Sequence, residues 1–205
     1  VRAAAGAVNR YPDPSARKLR TALSDRFDYP STGITVGNGS CEILLAAAEA
    51  VLEPWNELVY AWPSFSMYPH MGAATGAKEV RVPLTSDYVH DLDAMLGAIN
   101  ENTRLVVICN PNNPTSTYIP TEHIRSFMEK VPAEVLVILD EAYVEFQAVE
   151  DPDSSLDLLK DFSNLVSLRT FSKVYGLAGL RIGYALGSEE FRKATERVRQ
   201  PFDVN

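Results

Sequence analysis

Short apolar runs alternate along the chain with longer segments whose apolar positions recur every three or four residues. The runs Ile34 to Val36, Leu58 to Ala61, Glu79 to Val82, Leu105 to Cys109, Val135 to Leu139, Leu165 to Leu168 and Ile182 to Leu186 read as strands. Helical spacing places helices near Ser15 to Phe27, Ser40 to Leu52, Ser64 to Thr75, Leu92 to Ile99, Thr121 to Lys130, Leu156 to Lys160 and Ser188 to Val198. Strands alternating with helices predict βαβ units, an α/β fold and a mainly parallel sheet. Neither an internal repeat nor a low-complexity segment is present, and the acidic loop Glu150 to Ser155 is the one plausible linker.

Composition adds bounds. With 205 residues, 46% of them hydrophobic and 22% charged, the chain can bury a sizeable core as one domain, and disorder is excluded. A net charge of −8 with no cluster of lysine or arginine argues against a nucleic-acid or anionic-membrane partner. Cys41 and Cys109 lie far apart and in no metal-like spacing, so no metal is expected, and a reducing, cytoplasmic location is. Apolar runs fall short of a membrane span, and Val1 to Val8 lacks the features of a signal peptide. The first residue is not methionine, so the expected amino terminus lies upstream.

Unusual chemistry sits in the loops that follow strands. Lys173 lies between the apolar run Leu165 to Leu168 and a turn rich in glycine (Gly176, Gly179, Gly183), at the carboxyl end of a strand, where open α/β sheets bind ligands. The plainer alternative is a solvated loop lysine. In Gly37-Asn38-Gly39-Ser40-Cys41-Glu42 a glycine turn leads into a helix whose first N–H groups are free to bind an anion, unless Ser40 simply caps it. Asn110-Pro111-Asn112-Asn113-Pro114-Thr115 is stiffened by two prolines that bias each preceding residue toward extended geometry. It reads either as a means of aiming asparagine amides or as a rigid crossover turn. Val135 to Leu139 runs directly into Asp140, a carboxylate that is costly at the end of a central strand unless a cation meets it; the alternative is a turn or capping aspartate.

Together these loops resemble the pyridoxal-phosphate aminotransferases of fold type I, most closely the histidinol-phosphate aminotransferases. The likeness rests on Asn9 to Pro14, Gly37 to Ser40, Pro63 to Tyr68, Asn110 to Thr115, Asp140 to Tyr143 and Arg169 to Arg181, in the family's order along nearly the whole chain. It implies the large cofactor-binding domain over residues 1–205, a three-layer α/β/α unit with a mainly parallel mixed sheet. The family's N-terminal arm and C-terminal small domain are expected to lie outside this chain, the latter beginning near Gln200 to Asn205.

Carried over residue by residue, Lys173 resembles the lysine that joins the cofactor's aldehyde and shuttles the substrate proton. Asp140 resembles the partner that keeps the pyridine nitrogen protonated. The likeness implies that Asn113 and Tyr143 bond the ring's phenolic oxygen, and that Phe65, or failing it Tyr68, stacks on its face. It gives the cofactor phosphate to the turn at Gly39, the Ser40 and Cys41 amides, Thr170, Ser172 and the Arg181 fork. Tyr11 is expected to reach the phosphate of a neighbouring subunit, which requires a homodimer. Two positions depart from the family: Cys41 stands where aspartate is usual, and Ser116 where glycine is usual, so whether that turn needs a positive φ is left open.

The implied reaction is amino transfer between histidinol phosphate and 2-oxoglutarate, forming imidazole acetol phosphate and glutamate. Aminotransferases of aromatic amino acids and a threonine-phosphate decarboxylase share the same cofactor residues, and the family's substrate-binding arginines lie beyond residue 205. Arg2 and Arg10, beside Tyr11, are the spare cations for a donor phosphate, the alternative being solvated surface charge. A phosphate- or nucleotide-binding module is the alternative from another class, but no G-x-G-x-x-G follows the first strand and no Walker lysine follows Gly37.

Overall fold

Period-two burial along the strands assigns each face of the sheet its own helices. In the computed structural model, residue 6 and residues 9–202 are described, so Arg2 and the last three residues fall outside the description. Seven strands form one sheet: β1 (Ile34–Gly37), β2 (Glu57–Trp62), β3 (Lys78–Pro83), β4 (Thr103–Cys109), β5 (Leu136–Asp140), β6 (Leu165–Thr170) and β7 (Gly183–Leu186). Their order is β1-β7-β6-β5-β4-β2-β3. The neighbours from β3 to β6 pair in parallel, while β7 runs antiparallel to both β6 and β1.

In β4, Val106 and Ile108 join one core cluster while Leu105, Val107 and Cys109 join the other. The first cluster is closed by α1 (Arg17–Phe27), α4 (Leu92–Gly97) and α5 (Thr121–Met128), through Leu23, Met95 and Ile124. The second is closed by α2 (Ser40–Val51), α3 (Met67–Thr75) and α6 (Glu189–Val198), through Leu44, Met71 and Phe191. These are the three layers expected of the fold. Alanines 46 to 48 of α2 are buried, which lets this helix lie close to the sheet. Ser188 caps α6 by accepting the Phe191 amide at 3.1 Å, and Asp91 caps α4 through the Ala94 amide at 2.9 Å.

Three expectations change. The helix expected from Ser64 begins at Met67, because Ser64 is buried and donates to Asn112 Oδ1 at 2.7 Å; Pro69 then falls in the first turn, which needs no N–H. The segment expected as a helix over Leu156 to Lys160 is a 3₁₀ helix, Ser154–Lys160. Glu150 to Ser155 is no linker. Glu150 accepts the Thr121 amide, Ser155 is buried against Glu141, and Asp153 pairs with Arg169 and Arg26.

Register sets where chemistry can occur. Cys109 pairs with Asp140, and Asp140 with Leu168, so the carboxyl ends of β4, β5 and β6 lie level. Alternation puts Asp140 and Thr170 on the α2/α3 face, beyond Ile138 and Leu168, while Ser167 and Arg169 go to the opposite face.

Candidate active site

A cleft opens at these strand ends on the α2/α3 side, lined by Ser40, Cys41, Phe65, Cys109, Asn113, Asp140, Ala142, Tyr143, Thr170, Ser172, Lys173 and Arg181. Of the thirteen residues singled out from sequence, ten line it; Gly39 lies just behind, and Tyr11 and Tyr68 do not line it.

At one wall, β1 passes through Asn38 and Gly39 into α2. Gly39 has φ +80°, and a Cβ there would overlap the Arg181 guanidinium; a Cβ on Gly183 would overlap the Ser40 amide nitrogen. Only glycine at both places lets the helix start, β7 and Arg181 meet. Ser40 is not the cap. It is the first helical residue, and Glu42 instead reaches back to accept the Asn38 amide at 2.6 Å. The start of α2 therefore faces the cleft with Ser40 and Cys41. Burial, reinforced by Asp140, pushes the Cys41 thiol up, while Arg181 and Lys173 oppose this; the Cys109 thiol is pushed up to about 12, chiefly by burial. Both thiols stay neutral at physiological pH and are poor nucleophiles.

At the opposite wall, β6 ends in a tight loop. The Ser172 amide donates to Thr170 Oγ1 at 3.1 Å, the Leu177 amide to the Phe171 carbonyl at 3.0 Å, and the Gly176 amide to the Lys173 carbonyl at 2.9 Å. Lys173 is thereby held at the cleft mouth, exposed, with Nζ 4.8 Å from the centroid of the Tyr143 ring. Arg181, at φ +55°, donates to the Ala178 carbonyl at 3.1 Å and lies 3.5 Å from Ser172 Oγ. Among the described residues neither Lys173 nor Arg181 forms an ion pair.

Asp140 forms part of the floor and is 2% exposed. Its Oδ2 accepts from the Tyr68 hydroxyl at 2.9 Å, and its Oδ1 accepts only a long bond, 3.3 Å, from the Ala142 amide. Burial pushes its carboxyl up to about 6, and Glu141 adds to this; the Tyr68 and Ala142 bonds and the Lys173 charge work the other way. Among the described residues no cation is in direct contact with this carboxylate, and a protonated ring nitrogen in the cleft would supply one.

The asparagine loop combines both readings open at the sequence level. Asn110 exchanges two bonds with Ile119, its amide to the carbonyl at 2.9 Å and its oxygen from the N–H at 2.8 Å, and Asn112 donates to Pro63 O and Thr115 Oγ1. These two stiffen the crossover, while Asn113 is left facing the cleft. Ser116 has φ +61°, so the turn does require a left-handed residue.

One expectation needs correcting in place, and one residue points outward. Tyr68 offers no ring face to the cleft: it is 0% exposed, and only its hydroxyl comes forward, to Asp140, so Phe65 is the aromatic of the pair that lines the cleft. Tyr11 is 87% exposed and packs on Phe202, 5.4 Å between ring centroids, away from this cleft. Cys109 and Ala142 also line the cleft and are not among the residues singled out for it from sequence, although Cys109 ends a strand level with Asp140 and its place follows from that.

Comparison with known proteins accords with this geometry. The family model for aminotransferase class I and II matches residues 2–204. An aromatic amino acid aminotransferase of Corynebacterium diphtheriae is 49% identical over 99% of this chain and 59% of its own length. Histidinol-phosphate aminotransferase 2 of Ralstonia nicotianae is 45% identical over 99% of this chain and 54% of its own. The crystal structure of histidinol-phosphate aminotransferase from Sinorhizobium meliloti, in complex with pyridoxal-5'-phosphate, superposes with a TM-score of 0.93 at 33% identity, covering 99% of this chain and 55% of that one. The chain thus spans between half and two thirds of the length of these relatives. A match over practically every residue, together with this fold, places the chain in the class I and II aminotransferase family.

Proposed function

We propose that the chain is the large, cofactor-binding domain of a pyridoxal-phosphate-dependent aminotransferase. The observation that carries this is the convergence on one cleft of an unpaired lysine amine, a buried carboxylate without a contacting cation, and a helix start crossed by an arginine. Pyridoxal phosphate would supply the electron-accepting ring that makes removal of the donor's carbon-bound proton feasible.

The chain's own residues divide the remaining work. The Ser40 and Cys41 amides, Thr170, Ser172 and the Arg181 fork hold a phosphate dianion at the start of α2, where free N–H groups and the helix dipole favour it. Asp140 holds the proton on the ring nitrogen. Phe65 covers a ring face, and Asn113 and Tyr143 donate to the ring's oxygen. Lys173 would hold the cofactor at its aldehyde carbon, and its amine would move the donor's carbon-bound proton, taking it as base and returning it as acid. The loop is held by the Ser172, Gly176 and Leu177 amides, and among the described residues Nζ forms no ion pair, which leaves the amine available for these tasks.

For substrates we propose histidinol phosphate as donor and 2-oxoglutarate as acceptor. Three named relatives at 45 to 47% identity support it. Aromatic amino acids are the second reading, favoured by the 49% identical relative from Corynebacterium diphtheriae. Comparing kcat/KM of the full-length enzyme for histidinol phosphate, phenylalanine and threonine phosphate separates them. A site that pairs a donor phosphate loses at least about tenfold when the phosphate is missing. Equal or better turnover of phenylalanine selects the aromatic reading, and carbon dioxide from threonine phosphate selects a decarboxylase. A homodimer with Tyr11 completing the partner's phosphate site belongs to the same proposal. Mixing Tyr11→Phe with Lys173→Ala should restore activity, because each hybrid dimer has one site free of both changes.

A further inference from the structure

The reading of the cleft as a pyridoxal-phosphate site leaves Tyr68 without a task, yet it makes the shortest hydrogen bond to Asp140. Its ring is fixed on two sides, edge-on to Tyr60 at 5.6 Å and to Phe65 at 5.8 Å, and it is 0% exposed. A tyrosine so held cannot swing its hydroxyl away. Its own proton is secure, because burial, then Asp140, raises the phenol well above its ordinary range. The hydroxyl is therefore a permanent donor, aimed at Oδ2 from 2.9 Å, while Oδ1 has only the 3.3 Å Ala142 contact.

We propose that Tyr68 is a positioning residue: its buried hydroxyl holds Asp140 as an oriented carboxylate, with Oδ2 committed and Oδ1 left for the cofactor's ring nitrogen. The inference rests on the cofactor reading given above. Other groups near Asp140 cannot perform this task. Cys109 on β4 and Cys41 on α2 are neutral thiols, Glu141 is a like charge that opposes ionisation, and Lys173 acts through space from the exposed mouth of the cleft. Tyr68 alone combines a donor, a fixed position and full burial. Removing the donor makes Asp140 more basic and draws the shared proton from the ring nitrogen toward the carboxylate, weakening the electron sink without changing the cleft's shape.

Two measurements on the full-length protein test this. In the cofactor-free form, the carboxyl infrared band absent from Asp140→Asn is titrated in wild type and in Tyr68→Phe. The midpoint should rise by about one pH unit or more in Tyr68→Phe, since a hydrogen bond to a charged group is worth about a tenfold change or more in proton affinity. Replacing Tyr68 with 3-fluorotyrosine, a stronger donor of nearly the same shape, should lower the midpoint by a few tenths, and it serves if the phenylalanine variant fails to fold. Unmoved midpoints overturn the proposal. In the loaded form, the ¹⁵N resonance of ring-labelled pyridoxal phosphate should show a protonated nitrogen in wild type and shift toward the neutral value in Tyr68→Phe. A neutral nitrogen already in wild type defeats the role given to Asp140 itself. A protonated nitrogen that Tyr68→Phe leaves unchanged defeats the role of Tyr68 alone.

Discussion

On the two faces of the sheet, at the same carboxyl ends of β5 and β6, charge is handled in opposite ways. Behind the sheet, Glu141 and Arg169 are each 2% exposed and fully engaged. Glu141 accepts from Ser155 and Ser167 at 2.5 Å and from Arg169 Nε at 3.0 Å, while Arg169 also binds Asp153 at 2.6 Å and the Pro152 carbonyl at 2.7 Å. Burial works against the Arg169 charge, but Glu141 and Asp153 more than reverse this and hold it firmly protonated. One residue away in sequence, on the α2/α3 side, Asp140, Lys173 and Arg181 have no such closure. A closed network spends its charges on rigidity, and an open one keeps them for a ligand. Adjacent carboxylates thus differ in role because the strand turns one of them to each side.

Lys173→Ala should have the largest effect and reveal nothing about stability. We expect turnover to fall by roughly 10³-fold or more, since nucleophile and proton carrier go together, while the thermal midpoint of the cofactor-free protein stays put because the side chain is exposed. Borohydride should fix the cofactor of wild type to the peptide bearing Lys173; an adduct on another lysine would overturn the assignment.

Arg169→Leu breaks the closed side. Leaving the buried Glu141 without its cation, with Asp153 keeping only Arg26, should cost about 3–5 kcal/mol of folding stability, read as a lower denaturation midpoint. A cost below about 1 kcal/mol would mean the network is solvated and the contrast between the faces overstated. Any loss of turnover should follow the loss of folded protein.

Asp140→Asn reverses the pattern, with turnover lost and stability gained. The folded carboxyl titrates near 6, above its ordinary value of 3.8. The folded state therefore holds the proton more tightly, so the favourable contribution is complete below about pH 4 and is lost as pH rises through 6. Above pH 6 wild type without cofactor should be less stable than Asp140→Asn by roughly 2–3 kcal/mol, and the two should converge on acidification. A wild-type curve that ran parallel to the variant's between pH 4 and 7 would place Asp140 in a solvated setting.

The contrast between the faces also marks what could be read from sequence. All seven strands were legible because alternation with helical spacing is dense, and Lys173, Asp140 and Asn113 were legible because each follows an apolar run that must end at the sheet's edge. Tyr68 was harder. Its motif pointed to the cofactor, but deciding between ring face and hydroxyl requires knowing that α3 and Asp140 share a face of the sheet. Arg169 was noticed only as the start of the lysine stretch. A charge inside the wholly buried strand Leu165–Thr170 signals a partner, yet Glu141 and Asp153 come from different loops, and no spacing rule joins them. The acidic loop Glu150 to Ser155 was misread for the same reason: its charges look solvated until Arg169 and Arg26 are placed.

The smallest expected effect lies at the rim of the open side. Ser116 sits at φ +61° and is exposed, with its amide bonded to the Asn112 carbonyl at 2.8 Å. A residue with a Cβ pays about 1–2 kcal/mol in the left-handed region. Glycine avoids that strain but loses roughly 0.4–1 kcal/mol through its freer unfolded chain. Ser116→Gly, the residue usual in the resembling family, should therefore stabilise the protein by up to about 1 kcal/mol, with kcat/KM unchanged within about twofold because Asn113 keeps its place. Ser116→Val should do the reverse, since a β-branched side chain is poorest at positive φ. Urea midpoints at constant m-value measure both. If Ser116→Gly left the midpoint unchanged and lowered kcat/KM instead, the strain at this turn would be part of how the rim holds Asn113 toward the cleft, and the open face would be stiffer than its unpaired charges suggest.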